Sequence, residues 1–133
     1  MSKLTLRILL PSREAVSRHV DSVNLTATEG EVGILPGHAA LLATLRPGPA
    51  LIRDGASVEH WAIGDGFLEV RDDVVTALVQ TAESRESIDV ARAQKRKAER
   101  EAELKRQGLS EFEMKRAELS LAKQLARLKV AGG

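Results

Sequence analysis

The chain predicts an α+β protein in which a series of short strands, closing into a sandwich or a barrel, is followed by a helical hairpin. Three observations predict it. Turn residues interrupt apolar, β-branched segments about every eight to twelve positions as far as residue 84. Beyond that point the hydrophobic period changes from two to about 3.6. The charge changes sign at the same place: residues 1–83 hold 7 basic and 11 acidic groups, net −4, and residues 84–133 hold 13 and 8, net +5, which sum to the whole-chain +1. The expected organisation of the 133 residues is a β domain, 1–84, and a helical hairpin, 85–133.

Leu4 to Leu10 alternates, with Leu4, Leu6, Ile8 and Leu10 on one face and Thr5 and Arg7 on the other, until Pro11 and Ser12 stop it. Glu14 to Val16 reads as a short edge strand. Val20 to Thr28 reads as a β-branched strand with Val23, Leu25 and Ala27 sharing a face. From Glu29 to Pro49, Gly30, Gly33 and Gly37 supply backbone freedom while Pro36 and Pro47 restrict it, around the apolar runs Val32–Leu35 and Ala40–Leu45. So much apolar surface with so little charge reads as a docking surface. Ala50–Arg53 and Ser57–Ile63 flank Asp54-Gly55, a hairpin signal. Gly64-Asp65-Gly66 and Asp72-Asp73 bound the strands Phe67–Arg71 and Val74–Val79. Trp61 and Phe67 are the only aromatics of this half, so its core must be aliphatic.

Ser84 or Ser87 is expected to cap a first helix that begins near Ile88 and ends at Gly108, with Glu86 and Asp89 placing negative charge at its positive end. Ser110 and Glu113 form a capping box for the second helix, and Leu109 with Met114 a hydrophobic staple. The second helix offers a stripe of Met114, Ala117, Leu121, Leu125 and Leu128 to an alanine-rich face of the first, Ile88, Ala91, Ala98 and Ala102. At about 0.8 kcal/mol per buried CH₂ such a seam is thin, so the hairpin reads as an arm that docks on another surface and detaches from it.

The absence of cysteine excludes disulfides and thiolate metal sites and suggests a reducing compartment. No apolar stretch reaches the about 18 residues of a membrane span, and the alternating N-terminus lacks the look of a secretory signal, so a cytoplasmic location is expected. His19, His38 and His60 show no metal-ligand spacing, and neither a phosphate-binding Gly-Lys-Ser/Thr loop nor a nucleophile elbow occurs, so no catalytic constellation is read. Asn24-Leu25-Thr26 fits a glycosylation sequon without any sign of secretion. The charged run Ala91–Lys105 reads first as a solvated helix face. A sharper reading places Asp89, Arg92, Arg96 and Arg100 along one helix with Lys123 and Arg127 alongside, which makes a phosphate site.

The run Glu-Gly-Glu-Val-Gly-Ile-Leu-Pro-Gly-His-Ala-Ala-Leu-Leu, Glu29 to Leu42, resembles the signature of the epsilon subunits of bacterial and chloroplast F-type ATP synthases, with Leu-Arg-Pro-Gly following. The resemblance continues through Gly66–Val70, Ile88–Ala93 and Lys115–Leu119. It implies a β-sandwich of about ten short strands followed by an antiparallel two-helix hairpin. It also implies a non-catalytic central-stalk subunit that couples c-ring rotation to ATP synthesis. The implied partners are the gamma subunit, the c-ring and, through the hairpin, the alpha and beta subunits. Nucleic acid is not among them, and the membrane is met only through the complex, at the cytoplasmic face of the cell inner membrane. Glu31, Gly33, Ile34, His38 and Leu42 are the interface candidates.

Some members bind ATP through an Ile/Leu-Asp-x-x-Arg-Ala motif, which stands here as Ile88, Asp89, Arg92 and Ala93, preceded by Glu83. Arg100 matches the next arginine with one inserted residue, Lys123 stands where an arginine is usual, and Arg127 matches. No cofactor is expected, and ATP enters only as a candidate regulatory ligand of a hairpin that inhibits hydrolysis. The alternative from another class is a nucleic-acid-binding module using the basic hairpin. Against it stand the interleaved Glu99, Glu101 and Glu103 and a hairpin whose one aromatic is Phe112.

Overall fold

The computed structural model describes residues 2–132. Alternation at the N-terminus becomes β1 (Leu4–Leu9), with Leu4, Leu6 and Ile8 wholly buried. It is followed by β2 (Glu14–Val20), β3 (Ser22–Ala27), β4 (Gly30–Ile34) and β5 (Leu41–Leu45). Next come β6 (Gly48–Asp54), β7 (Ser57–Ile63), β8 (Gly66–Arg71), β9 (Val74–Val79) and β10 (Ala82–Ser84). A 3₁₀ turn, Arg85–Ser87, leads into α1 (Val90–Leu104) and α2 (Glu111–Gly132).

The strands follow one hydrogen-bonded path, β10-β7-β6-β3-β5-β8-β9-β1-β2, with β4 on the free edge of β3. Between β3 and β5 only Ala27 and Leu45 pair, so the path folds over there into two layers. Their inner faces share one aliphatic core, with Leu25, Ile34 and Ile52 from one layer and Leu6, Leu68 and Val75 from the other. Trp61 packs only at its margin and Phe67 faces outward, as an aliphatic core requires.

Turn chemistry explains the corners. The β6–β7 loop is Gly55-Ala56, since Asp54 still pairs with Ser57, and Gly55 at φ 61° occupies the first loop position, where a primed turn needs positive φ. Asp72 and Asp73, at φ 50° and 61°, make the β8–β9 corner. Two expectations about element ends are corrected, and the structure adds one strand. β2 runs on to Val20 because it pairs with β1 along its whole length, Val20 against Leu4. Strand β10 has only three residues and no readable period; pairing with β7 makes it a strand. Helix α1 stops at Leu104, not Gly108, because Lys105 and Arg106 donate to carbonyls three residues back and tighten the last turn.

The first helix is capped by Asp89 rather than by either serine. Asp89 Oδ1 accepts from the Arg92 amide at 3.0 Å, whereas the Ser87 hydroxyl is spent on the Ser84 carbonyl. The capping box of α2 forms as expected, with Ser110 N–H on Glu113 Oε1 and Glu113 N–H on Ser110 Oγ. Its seam differs from the expected one. Ala93 is the buried residue of α1, and Ala117, Gln124, Ala126 and Val130 are those of α2, while Ala91, Ala98, Ala102, Met114 and Leu125 face outward. Arg96, Lys97 and Arg100 lie half-buried along the α1 side, so charged stems cover the alanines. The far half of α2 packs on β6 and β7.

Candidate functional site

A 270 Å³ cleft opens where β10, the 3₁₀ turn, the start of α1 and α2 meet. Glu83, Asp89, Arg92, Ala93 and Arg127, five of the predicted nucleotide residues, line it together with Ser87, Arg96 and Gln124. Asp89, Arg92, Ala93 and Arg96 share one face because they stand at i, i+3, i+4 and i+7. Arg127 is gripped twice: its Nε lies 2.5 Å from Glu83 Oε1 and its Nη1 donates to Gln124 Oε1 at 3.1 Å. Arg92 and Arg96 have no ion-pair partner among the described residues. Three guanidinium groups against two carboxylates leave the cleft net positive and rich in donors, which suits an anion.

Three predicted residues lie elsewhere. Ile88 is half-buried beside the cleft, Arg100 pairs with Glu103 at 2.9 Å, and Lys123 reaches Asp65 in the β7–β8 turn at 3.6 Å. Arg96 stands in the cleft where the resemblance pointed to Arg100, and its spacing of seven from Asp89 is a signal for it. Gln124 was not anticipated, although it lies seven residues after the seam residue Ala117. Among the described residues no cluster has the makings of a metal site. The resolved pKa shifts lie away from the cleft. Hydrogen bonding with Asp54 raises Lys3 and lowers Asp54, a pair that ties the N-terminus to the β6–β7 hairpin.

The predicted interface residues divide. Glu31 and Gly33 point outward from β4, where Asn24 donates to Glu31 Oε1 at 2.9 Å. Glu31 also lines a 280 Å³ groove that the sandwich forms with Leu125 and Lys129 of α2. Ile34 does not belong to a docking face: it is 1% exposed, because alternation along β4 turns it into the core. His38 sits in the β4–β5 loop, its Nδ1–H donating to the Ala39 carbonyl at 2.7 Å. Leu42 is 79% exposed on the opposite layer, with surface hollows of 420 and 310 Å³ beside it.

Leu42 is not alone. Register places Thr44, Phe67, Leu78 and Leu9 directly opposite one another across β5, β8, β9 and β1. Phe67 and Leu78 are 64% and 52% exposed, so this layer presents a bare apolar row next to Leu42. The outward positions of Phe67–Arg71 and Val74–Val79 carried this signal in their alternation.

Residues 3–85 match the family described as ATP synthase, Delta/Epsilon chain, beta-sandwich domain, and residues 86–132 match its long alpha-helix domain. The chain belongs to the delta/epsilon chain family of ATP synthases. It is 39% identical over 132 residues to the ATP synthase epsilon chain of Halalkalibacterium halodurans, covering 99% of each chain. To that of Geobacter metallireducens it is 37% identical over 130 residues, which cover 98% of this chain and 94% of the relative.

Among solved structures, a chain of the Euglena gracilis mitochondrial ATP synthase OSCP/F1/c-ring assembly superposes with a TM-score of 0.84 at 24% identity, over 100% of this chain and 83% of that one. A chain of the Tetrahymena thermophila ATP synthase central stalk and c-ring gives 0.69 at 16%, over 98% and 97%. These two likenesses speak to the fold, a sandwich followed by helices. Family membership makes the chain a stalk and regulatory subunit rather than a catalytic one. Nothing in these likenesses supports the nucleic-acid reading, and several hairpin cations are already spent: Arg127 on Glu83, Lys123 on Asp65, Arg100 on Glu103. No helix among the described residues is long and apolar enough to cross a membrane.

Proposed function

We propose that residues 1–84 dock as a unit on the gamma subunit and the c-ring, at the cytoplasmic face of the cell inner membrane, and that residues 85–133 are a movable arm that restrains ATP hydrolysis. The observation that carries this reading is the difference between the two layers. One outer face is bare and apolar around Leu42, Phe67 and Leu78, and the other lies under α2. A bare apolar row of this kind suits a permanent partner. Gamma is placed there, and Glu31, Gly33 and His38 are placed toward the c-ring.

The covered face is held differently. Lys123 with Asp65 and Arg127 with Glu83 tie the arm to the sandwich, and Arg85 Nε on the Val130 carbonyl at 2.9 Å ties the two ends of the arm to each other. Partly exposed ion pairs contribute about 0–1 kcal/mol each, so these two add little to the packing of α2 on β6 and β7. Release would free Lys123 and Arg127, beside the exposed Arg116, to meet acidic surfaces of the alpha and beta subunits. The same cations then serve the folded and the extended arm in turn.

ATP is the proposed regulatory ligand of the cleft, its phosphates facing Arg92, Arg96 and Arg127. Because both α1 and α2 build the cleft, ATP binds the folded arm selectively and adds about 2.7 kcal/mol to it at a hundred times the Kd. Calorimetry of the intact chain should show heat with ATP that Asp89→Ala and Arg92→Ala abolish; no heat with the intact chain overturns the nucleotide half. Complexes assembled with residues 1–87 in place of the full chain should hydrolyse ATP faster. An unchanged rate overturns the inhibitory half.

A further inference from the structure

Gln124 is 2% exposed, one of two buried polar residues among those described, the other being Ser22. It occupies a seam between helices in which its buried neighbours on α2 are alanine and valine. A buried carboxamide is costly unless its donors and its acceptor are both met. Here the acceptor is met: Gln124 Oε1 takes the Arg127 Nη1 hydrogen at 3.1 Å. Arginine has donors only, so the oxygen must be the atom that faces it and the NH₂ must point the other way. That NH₂ has no acceptor among the described residues, yet it is not sealed from solvent, and the residue lines the 270 Å³ cleft.

We propose that Gln124 reads the ligand of this cleft, donating its amide NH₂ to a phosphoryl oxygen while its Oε1 holds Arg127 in position for the same group. The inference rests on the nucleotide reading of the cleft and adds a residue and a ligand atom to it. Glu83 on Nε and Gln124 on Nη1 fix the plane of the guanidinium and leave its Nη2 edge for the ligand. A base ring offers donors as well as acceptors. Phosphoryl oxygens offer acceptors only, and that is what the free amide and the free guanidinium edge require.

Two variants test it on the full chain, with ATP and inorganic tripolyphosphate titrated separately by calorimetry. Gln124→Met keeps an unbranched side chain of similar size and removes both polar atoms. It should weaken both ligands about 10- to 100-fold and leave the melting temperature of the ligand-free chain equal or higher. Gln124→Glu keeps the acceptor for Arg127, loses the donor and adds a negative charge, and should weaken both ligands further. Wild-type affinity for ATP in Gln124→Met, with or without a lowered melting temperature, would assign Gln124 a packing role and overturn the proposal. Weakened ATP binding with tripolyphosphate unaffected, or tripolyphosphate that does not bind the wild type, would overturn the phosphoryl assignment. A wild-type chain that takes up no ATP is a different failure, of the nucleotide reading itself, and the role of Gln124 falls with it.

Discussion

Ile34 and Leu42 stand in the same apolar stretch and read alike in the sequence, yet one is at the centre of the core and the other is the most exposed large apolar side chain of the sandwich. Strand parity separates them. Ile34→Glu should therefore leave the chain unfolded by circular dichroism, since an unpaired charge in the core costs several kcal/mol. Leu42→Glu should melt within a few degrees of wild type, because surface changes usually stay within about 0.5 kcal/mol. Alternation in Leu4–Leu10 was legible because every second residue is large and apolar; around Gly33 it was not, because glycine has no side chain to mark a face. Gly66 was legible only as a turn residue. Its stronger constraint is the close approach of β9, where a Cβ would stand 1.9 Å from the Leu78 carbonyl oxygen. Gly66→Ala should lower the melting temperature markedly, and an unchanged melt would contradict the packing described.

At the scale of elements, the start of α2 was legible to the atom and the start of α1 was not. Ser110 and Glu113 have one reciprocal arrangement available, whereas Ser84, Ser87 and Asp89 are all capping residue types, and only the path out of β10 decides among them. Ser110→Ala should cost about 1 kcal/mol of stability. The pH dependence of the cap follows from Glu113, whose carboxyl is held below its ordinary value first by the Ser110 backbone N–H and then by its side chain. A depressed folded-state pKa contributes stability that is fully present above the unfolded value, about 4.3, and is lost as pH falls through the folded one. Acid titration of helicity should show this loss in wild type and not in Glu113→Gln. The seam register escaped the sequence because long arginine and lysine stems bury themselves as readily as alanine does, so polarity along α1 does not mark exposure.

For the whole molecule, both the hydrophobic period and the sign of the charge change near residue 84 in the sequence. The division of labour between the layers was not legible there, since it depends on which outer face α2 covers. Residues 1–84 should fold without the arm, giving a cooperative β-type melt. Raising the ionic strength should loosen the arm, because Lys123–Asp65 and Arg127–Glu83 are partly exposed. The measurement that tests the central claim most directly is co-purification from detergent extracts of membranes that produce either the wild-type chain or Leu42→Glu, with the folded state of each checked by its melt. The account predicts that wild type is recovered with the stalk and catalytic subunits and that a normally folded Leu42→Glu chain is largely lost from them. Recovery of folded Leu42→Glu in full proportion to the other subunits would contradict the assignment of the bare face as the stalk-docking surface.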